Sequence, residues 1–184
     1  MFMHGGFTHL AFNMFAVWMF GSQLENLWGS KRFLNYYLLT GLGAAFLHFI
    51  VIHWQIYNLE SIMLKNQIEQ VVENGSTIFK NGKNYIDLNM GRLNALYNTP
   101  VVGASGALFG LLLAFGMLFP NALLFFIFIP IPIKAKYFVM IYGLTELWFG
   151  LQNNPHDNVA HFAHLGGMIF GFLIIKYWQW ENRH

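Results

Sequence analysis

A serine and a histidine on separate apolar segments could together attack a carbonyl carbon. Ser105 is flanked by Gly103 and Gly106, which leave room for a peptide backbone to approach. His164 lies near the start of the last apolar segment. A serine hydroxyl becomes an effective nucleophile when an adjacent base takes its proton, and histidine most often serves as that base. Each residue also has a plain structural explanation, Ser105 in a packing face of small residues and His164 as a hydrogen-bonded core histidine.

Two glycines indicate that the segment carrying His164 packs closely. Gly167 and Gly171 follow His164 by three and seven residues, and so lie on the same helical face. Helices without side chains at the contact can approach to about 8 Å, the short end of the usual range. We therefore predict that Ser105 and His164 lie within hydrogen-bonding reach, or slightly beyond it in an empty site.

A second pair of polar residues lies on the first apolar segment. His9 and Asn13 are four residues apart and share one helical face. Both side chains can donate hydrogen bonds, which suits an oxyanion hole for acyl transfer. Hydrogen bonding between helices of a bundle is the alternative, and it is the simpler explanation of this segment on its own.

Other protease chemistries lack the residues they need. The chain has no cysteine, so cysteine nucleophiles and disulfides are excluded. No histidine is followed by glutamate, so the H-E-x-x-H zinc motif is absent. The two aspartates, Asp87 and Asp157, lie outside the apolar segments and cannot form an intramembrane pair.

Neither a metal nor another cofactor is expected. The candidate metal ligands would be histidines, and on sequence they lack a neighbouring carboxylate within an apolar segment: His4, His9, His161 and His164. Glu146 is the one acid in the fourth apolar segment. Its role stays open, either as a buried structural acid or as a group that faces a cavity.

Composition indicates a membrane protein. Only 10% of the residues are charged and 56% are hydrophobic, whereas soluble domains carry about 25% charged residues. The net charge of +2 is too small and too scattered to indicate nucleic acid. A bilayer is crossed by about 20 apolar residues, and five segments approach that length: about 7–28, 33–54, 99–119, 137–151 and 161–178. Residues 122–133 are too short to cross and contain two prolines, so we interpret them as interfacial or re-entrant.

Charged residues predict the orientation. The side reached after the first span carries basic residues in short loops: Lys31, Arg32, Lys134, Lys136, Lys176 and Arg183. Basic residues in short loops mark the cytoplasmic side. The C-terminus is therefore predicted to be cytoplasmic, in a bacterial cytoplasmic membrane, with lipid around the spans.

Residues 55–100 form an outer amphipathic insertion on this interpretation. They hold eight of the eighteen charged residues. Apolar spacing predicts one amphipathic helix that ends at Asn74-Gly75, a turn at Asn81-Gly82, and a second helix from Ile86 to Tyr97. A solvated cap over the spans is favoured over a segment that guides substrate.

Three motifs in order resemble the rhomboid family of intramembrane serine proteases. His4 to Asn13 reads H-G-G-F-T-H-L-A-F-N and resembles the family's H-x-x-x-x-H-x-x-x-N. Gly103 to Gly110, G-A-S-G-A-L-F-G, resembles the nucleophile segment. Ala163 to Gly167 with Gly171 resembles the histidine helix. The resemblance covers nearly the whole chain except residues 55–100.

The resemblance implies a catalytic Ser105–His164 pair without an acidic third member. It also implies that His9, Asn13 and the Ser105 backbone N–H hold the oxyanion, that Gly103 shapes this site, and that Phe109 packs on the His164 ring. Substrates would be transmembrane proteins cut near the outer face. The span from Tyr137 and the loop 152–160 would form a gate and cap.

The expected fold is an all-α polytopic membrane protein, a single rhomboid-like helical bundle over residues 1–184. Five of the family's six core helices are expected here, the first being absent, so we predict that the reading frame extends upstream of Met1 to another span and an outer loop with Trp-Arg. A non-catalytic rhomboid-like protein that binds transmembrane helices is the alternative function. A small-molecule transporter is disfavoured because the third span shows neither charges nor a broken helix.

Overall fold

Helices make up most of the molecule. The computed structural model describes residues 6–99, 104–126, 129–152, 159–181 and 183. The helices are α1 (Phe7–Ala16), a π-helical turn (Val17–Gly21), α2 (Ser22–Trp28), α3 (Ser30–Glu60), α4 (Lys65–Lys80), α5 (Leu88–Asn98), α6 (Ser105–Leu118), α7 (Ala135–Gln152) and α8 (His161–Glu181).

The helices coincide with the five predicted spans. The span 7–28 is α1, the π-helical turn and α2 in continuous succession. It ends at Gly29, whose φ of 77° is a left-handed conformation that favours glycine. The spans 33–54, 137–151 and 161–178 lie within α3, α7 and α8. The described part of the span 99–119 contains α6.

Two boundaries near the insertion were predicted wrongly. The first amphipathic helix is in fact two pieces, since α3 continues to Glu60 and α4 begins only at Lys65. Helix α4 also runs through Asn74-Gly75 to Lys80. The reason is packing: a Cβ on Gly75 would overlap Oδ1 of the buried Asn94, so this glycine permits a close contact and does not end the helix. Helix α5 and a turn at Asn81-Gly82, where φ of Gly82 is 69°, are confirmed.

A small β-hairpin occupies the segment predicted to be interfacial or re-entrant. Strands β1 (Leu123–Phe126) and β2 (Ile129–Lys134) pair antiparallel, with Leu123 opposite Lys134 and Leu124 opposite Ile133. Each strand of a two-stranded sheet has a free edge, which tolerates prolines that cannot donate a ladder hydrogen bond. The hairpin is a local exception to an otherwise helical bundle.

The chain divides into two compact units. Unit 1 comprises residues 1–48, 102–152 and 160–184, and its buried core includes Phe20, Leu24, Tyr36, Leu111 and Phe115. Unit 2 comprises residues 49–101 and 153–159, with a core of Leu59, Val71, Met90 and Leu93.

Large apolar side chains cover much of the exterior of unit 1. Phe12, Trp18, Leu42 and Trp148 are each more than 60% exposed. Soluble proteins rarely expose such continuous apolar surface, whereas a bilayer solvates it. In the described part of the chain, α3 is the one helix that meets both the length and the mean hydropathy expected of a membrane span, and α6 is shorter but apolar.

Candidate active site

Ser105 and His164 contact each other at the ends of two packed helices. Ser105 is the first residue of α6 and His164 lies in the first turn of α8. The Ser105 Oγ atom is 3.0 Å from His164 Nε2, within hydrogen-bond distance. The predicted proximity is therefore confirmed, while the catalytic role of the pair stays a prediction.

Glycines bring α6 and α8 together, as their spacing predicted. A Cβ on Gly167 would overlap the carbonyl oxygen of Gly106, and one on Gly171 would lie 3.3 Å from the Cα of Gly110. On Gly106, an added Cβ would lie 3.2 Å from the carbonyl oxygen of Ala163. This spacing places the His164 ring at the N-terminus of α6.

Phe109 packs on the imidazole of His164, as the family resemblance implied. The two ring centroids are 4.1 Å apart and the planes differ by 8°. Phe109 is itself buried and lies one helical turn after Ser105. The stack restricts the orientation of the imidazole that faces the serine.

The predicted oxyanion residues lie on α1, which packs against α6. Asn13 is only 5% exposed, and its Nδ2 has no hydrogen-bond partner among the described residues. Buried amide donors are nearly always bonded in folded proteins, so a donor without a described partner keeps Asn13 a candidate for the oxyanion hole. His9 is half-buried one turn earlier on the same helix. Gly103 lies outside the described residues.

Glu146 contacts both histidines at the start of α8. Its Oε2 is 2.8 Å from His164 Nδ1 and 2.7 Å from His161 Nδ1. The sequence interpretation that these histidines lack a neighbouring carboxylate was therefore wrong. Glu146 is on α7, and the sequence did not indicate which face of that helix meets α8. The sequence left two roles open for Glu146, a buried structural acid or a group that faces a cavity. The structure shows that Glu146 is buried beside the candidate site.

The side chains of Glu146, His161 and His164 are also a possible set of metal ligands. One carboxylate and two imidazoles form a donor set that zinc accepts, and their ligand atoms lie within 4.8 Å of one another. The Glu146 oxygen is 2.7 and 2.8 Å from the two imidazole nitrogens, which are hydrogen-bond distances. The cluster fits a hydrogen-bonded arrangement in this conformation.

His48 was missed by the sequence interpretation. It lies on α3, and its Nδ1 is buried without a hydrogen-bond partner in the described part of the chain. Ala44, one turn earlier on α3, packs against both Gly106 and Gly166. A histidine inside an apolar span was the available signal, but it belongs to none of the three motifs.

The family model and the similar proteins that match this chain are all described as rhomboid. The family model described as Rhomboid domain matches residues 1–180. The chain is similar to the rhomboid protease AarA of Providencia stuartii, with 28% identity over 95% of this chain and 52% of that protein. It is similar to the mitochondrial rhomboid protein 1 of Saccharomyces cerevisiae, with 26% identity over 94% of this chain and 38% of that protein. The human mitochondrial presenilin-associated rhomboid-like protein is 26% identical over 99% of this chain and 38% of its own length.

The chain thus spans about half the length of AarA and 38% of the length of each of the two mitochondrial relatives. No solved structure gives a significant match.

Proposed function

Because the chain belongs to the rhomboid family, we propose that it is an intramembrane serine endopeptidase that uses Ser105 and His164. The family consists of integral membrane proteins and includes serine proteases as well as members that do not cleave. The observation that carries the proposal is the 3.0 Å separation of Ser105 Oγ and His164 Nε2. A nucleophile and its base are recognised by this geometry in folds of any kind.

The first step is attack by Ser105 Oγ on the carbonyl carbon of a substrate peptide bond. His164 Nε2 takes the hydroxyl proton as the new C–O bond forms, and the carbonyl oxygen becomes an oxyanion. His164 then returns that proton to the departing amine, and the C–N bond breaks to leave an acyl group on Ser105. Water, deprotonated by His164, hydrolyses this ester and restores the free serine.

The oxyanion is stabilised by groups at the N-terminus of α6 and on α1. The first N–H groups of a helix have no partner within the helix, so the Ser105 N–H is a suitable donor. Asn13 Nδ2 is a second, since it is buried and has no partner among the described residues. His9 is a third donor on the same face of α1. Gly106 does not provide the predicted space for a substrate backbone, because an added Cβ would overlap the Cβ of Ala44 on α3.

Substrates on this proposal are transmembrane proteins cut near the outer membrane face. The apolar exterior of unit 1 supports an enzyme that meets its substrate within the lipid. We further propose a cytoplasmic C-terminus, which the basic short loops support, and a bacterial cytoplasmic membrane, which the similarity to the bacterial protein AarA supports. Relatives occur both in a bacterium and in mitochondria.

Cleavage in liposomes tests the proposal. The full-length protein is reconstituted with a fluorogenic single-pass transmembrane substrate, and the products are mapped by mass spectrometry. We expect cleavage by the wild type and none by Ser105→Ala. Substrate that binds equally to both proteins and is cut by neither would favour the non-catalytic alternative, a protein that binds transmembrane helices.

A further inference from the structure

We propose that Glu146 is a positioning residue for His164, so that the reactive group is a triad of Ser105, His164 and Glu146. The inference rests on the proposed function of Ser105 and His164. It departs from the two-residue arrangement that the family resemblance implies. What carries it is a continuous line of hydrogen-bond contacts, 2.8 Å from Glu146 Oε2 to His164 Nδ1 and 3.0 Å from His164 Nε2 to Ser105 Oγ.

The hydrogen bonds fix the tautomer of His164. An ionised carboxylate has no hydrogen and can only accept, so the His164 Nδ1 must carry the hydrogen of that bond. The neutral ring then has a lone pair on Nε2, which faces the Ser105 hydroxyl. This is the tautomer that a base needs, and a carboxylate on Nδ1 maintains it in serine proteases of other folds. The carboxylate also stabilises the imidazolium that forms when Ser105 attacks.

The surroundings hold the carboxylate in place. The Glu146 side chain is 7% exposed, and burying a carboxylate is costly unless donors reach it. His161 supplies a second donor to the same oxygen. One turn after Glu146, a Cβ on Gly150 would lie 3.3 Å from the Cβ of His161, so the missing side chain lets α7 approach the start of α8. Phe109 covers the imidazole face, which leaves the ring edges for Glu146 and Ser105.

The experiment compares Glu146→Gln, Glu146→Asp and the control Thr145→Val in the full-length protein. Among the described residues, the Thr145 hydroxyl donates its hydrogen bond only to the Ile141 carbonyl of its own helix, so Thr145→Val tests the effect of a polar loss on α7 without touching the site. Glutamine keeps the size of Glu146 but can present an amide donor to Nδ1, which favours the wrong tautomer. We expect Glu146→Gln to lower kcat by on the order of 10²–10⁴, as in other triads, with KM within about twofold, whereas Glu146→Asp recovers part of the activity.

A spectroscopic readout does not depend on turnover. In ¹⁵N-histidine-labelled protein in bilayers, the Nδ1 of His164 should carry the hydrogen and Nε2 should not, and Glu146→Gln should change this pattern. Wild-type protein with the hydrogen on Nε2 would overturn the inference even if the variant does not fold. So would Glu146→Gln cleaving at the wild-type rate while Ser105→Ala is inactive, a result that leaves the proposed function intact. Wild-type protein that does not cleave would count against both.

Discussion

Phe109 stacks on the imidazole of His164, with ring planes 8° apart. The stack, together with the contact to Ser105, leaves the imidazole little freedom to rotate. Replacing Phe109 by Ala removes this support, and displacement of a catalytic group by about 1 Å can cost on the order of 10² in rate. We expect Phe109→Ala to lower kcat on a transmembrane substrate by about 10- to 100-fold.

Phe12→Ala is the matched control, because Phe12 is 65% exposed on the exterior. It should leave kcat unchanged. Equal rates in wild type and a folded Phe109→Ala variant would show that the stack does not orient the base.

Asn13 has a buried donor with no partner in the described part of the chain. Removing one oxyanion donor costs on the order of 10²–10³ in kcat, and His9 offsets part of that loss. We therefore expect a smaller drop for Asn13→Ala than for the double variant with His9→Ala. Initial cleavage rates in liposomes measure this, with exposed Asn26→Ala on α2 as the control. Undiminished cleavage by the double variant would reject both residues as oxyanion donors.

Gly167 sits against the backbone of α6, where a Cβ would overlap the Gly106 carbonyl oxygen. A backbone atom cannot move aside cheaply, so Gly167→Ala should push α8 away from α6. Overpacking costs about 1–3 kcal/mol or more, and we expect a lower Tm together with loss of cleavage.

Gly143→Ala is the control for Gly167→Ala. The Cβ it adds would lie 3.0 Å from Cε of Met168, the end of a flexible side chain that can shift. Thermal unfolding in detergent should show little change for Gly143→Ala. A Gly167→Ala variant as stable and active as wild type would contradict the close helix contact.

Tyr97 in unit 2 donates a hydrogen bond to Glu60. Burial, followed by this hydrogen bond and the charge of Glu60, raises the pKa of Tyr97 to about 12. Since the unfolded value is about 10, the stabilisation is complete below about pH 10 and is lost as the pH rises through about 12. The effect should be small because Tyr97 is 44% exposed.

Ultraviolet absorbance titration of wild type and Tyr97→Phe isolates this phenol. The difference between the two curves should show one group titrating near pH 12. Tyr57→Phe, which removes an exposed tyrosine of the same unit, is the control. A difference curve centred at the unfolded value of about 10 would show that Glu60 and burial do not protect the hydroxyl.

Local sequence was sufficient for the helices that carry the predicted spans and for the Ser105–His164 contact. Apolar length predicts a helix within a bilayer, and glycines three and seven residues after His164 predict which face meets α6. These signals act within one helix or between motifs of known order. Such signals can therefore be interpreted without knowledge of the tertiary structure.

Contacts between side chains of different helices were harder to predict. Glu146 meets His161 and His164 because of the rotation of α7 about its own axis, and a nearly uniform apolar sequence does not indicate that rotation. His48 was overlooked for a different reason, because it belongs to none of the three motifs although it lies inside an apolar span. Gly75 was misread as a helix end because its close neighbour, Asn94, is distant in sequence.

Covalent labelling shows whether Ser105 is a nucleophile that His164 activates. The full-length protein in lipid is treated with a fluorophosphonate, which reacts with activated serine hydroxyls, and the adduct is located by mass spectrometry. We expect a single adduct on Ser105 in the wild type, none on this residue in Ser105→Ala, and strongly slowed labelling in His164→Asn. A folded wild-type protein without an adduct on Ser105, or one labelled at the same rate when His164 is replaced, would contradict it.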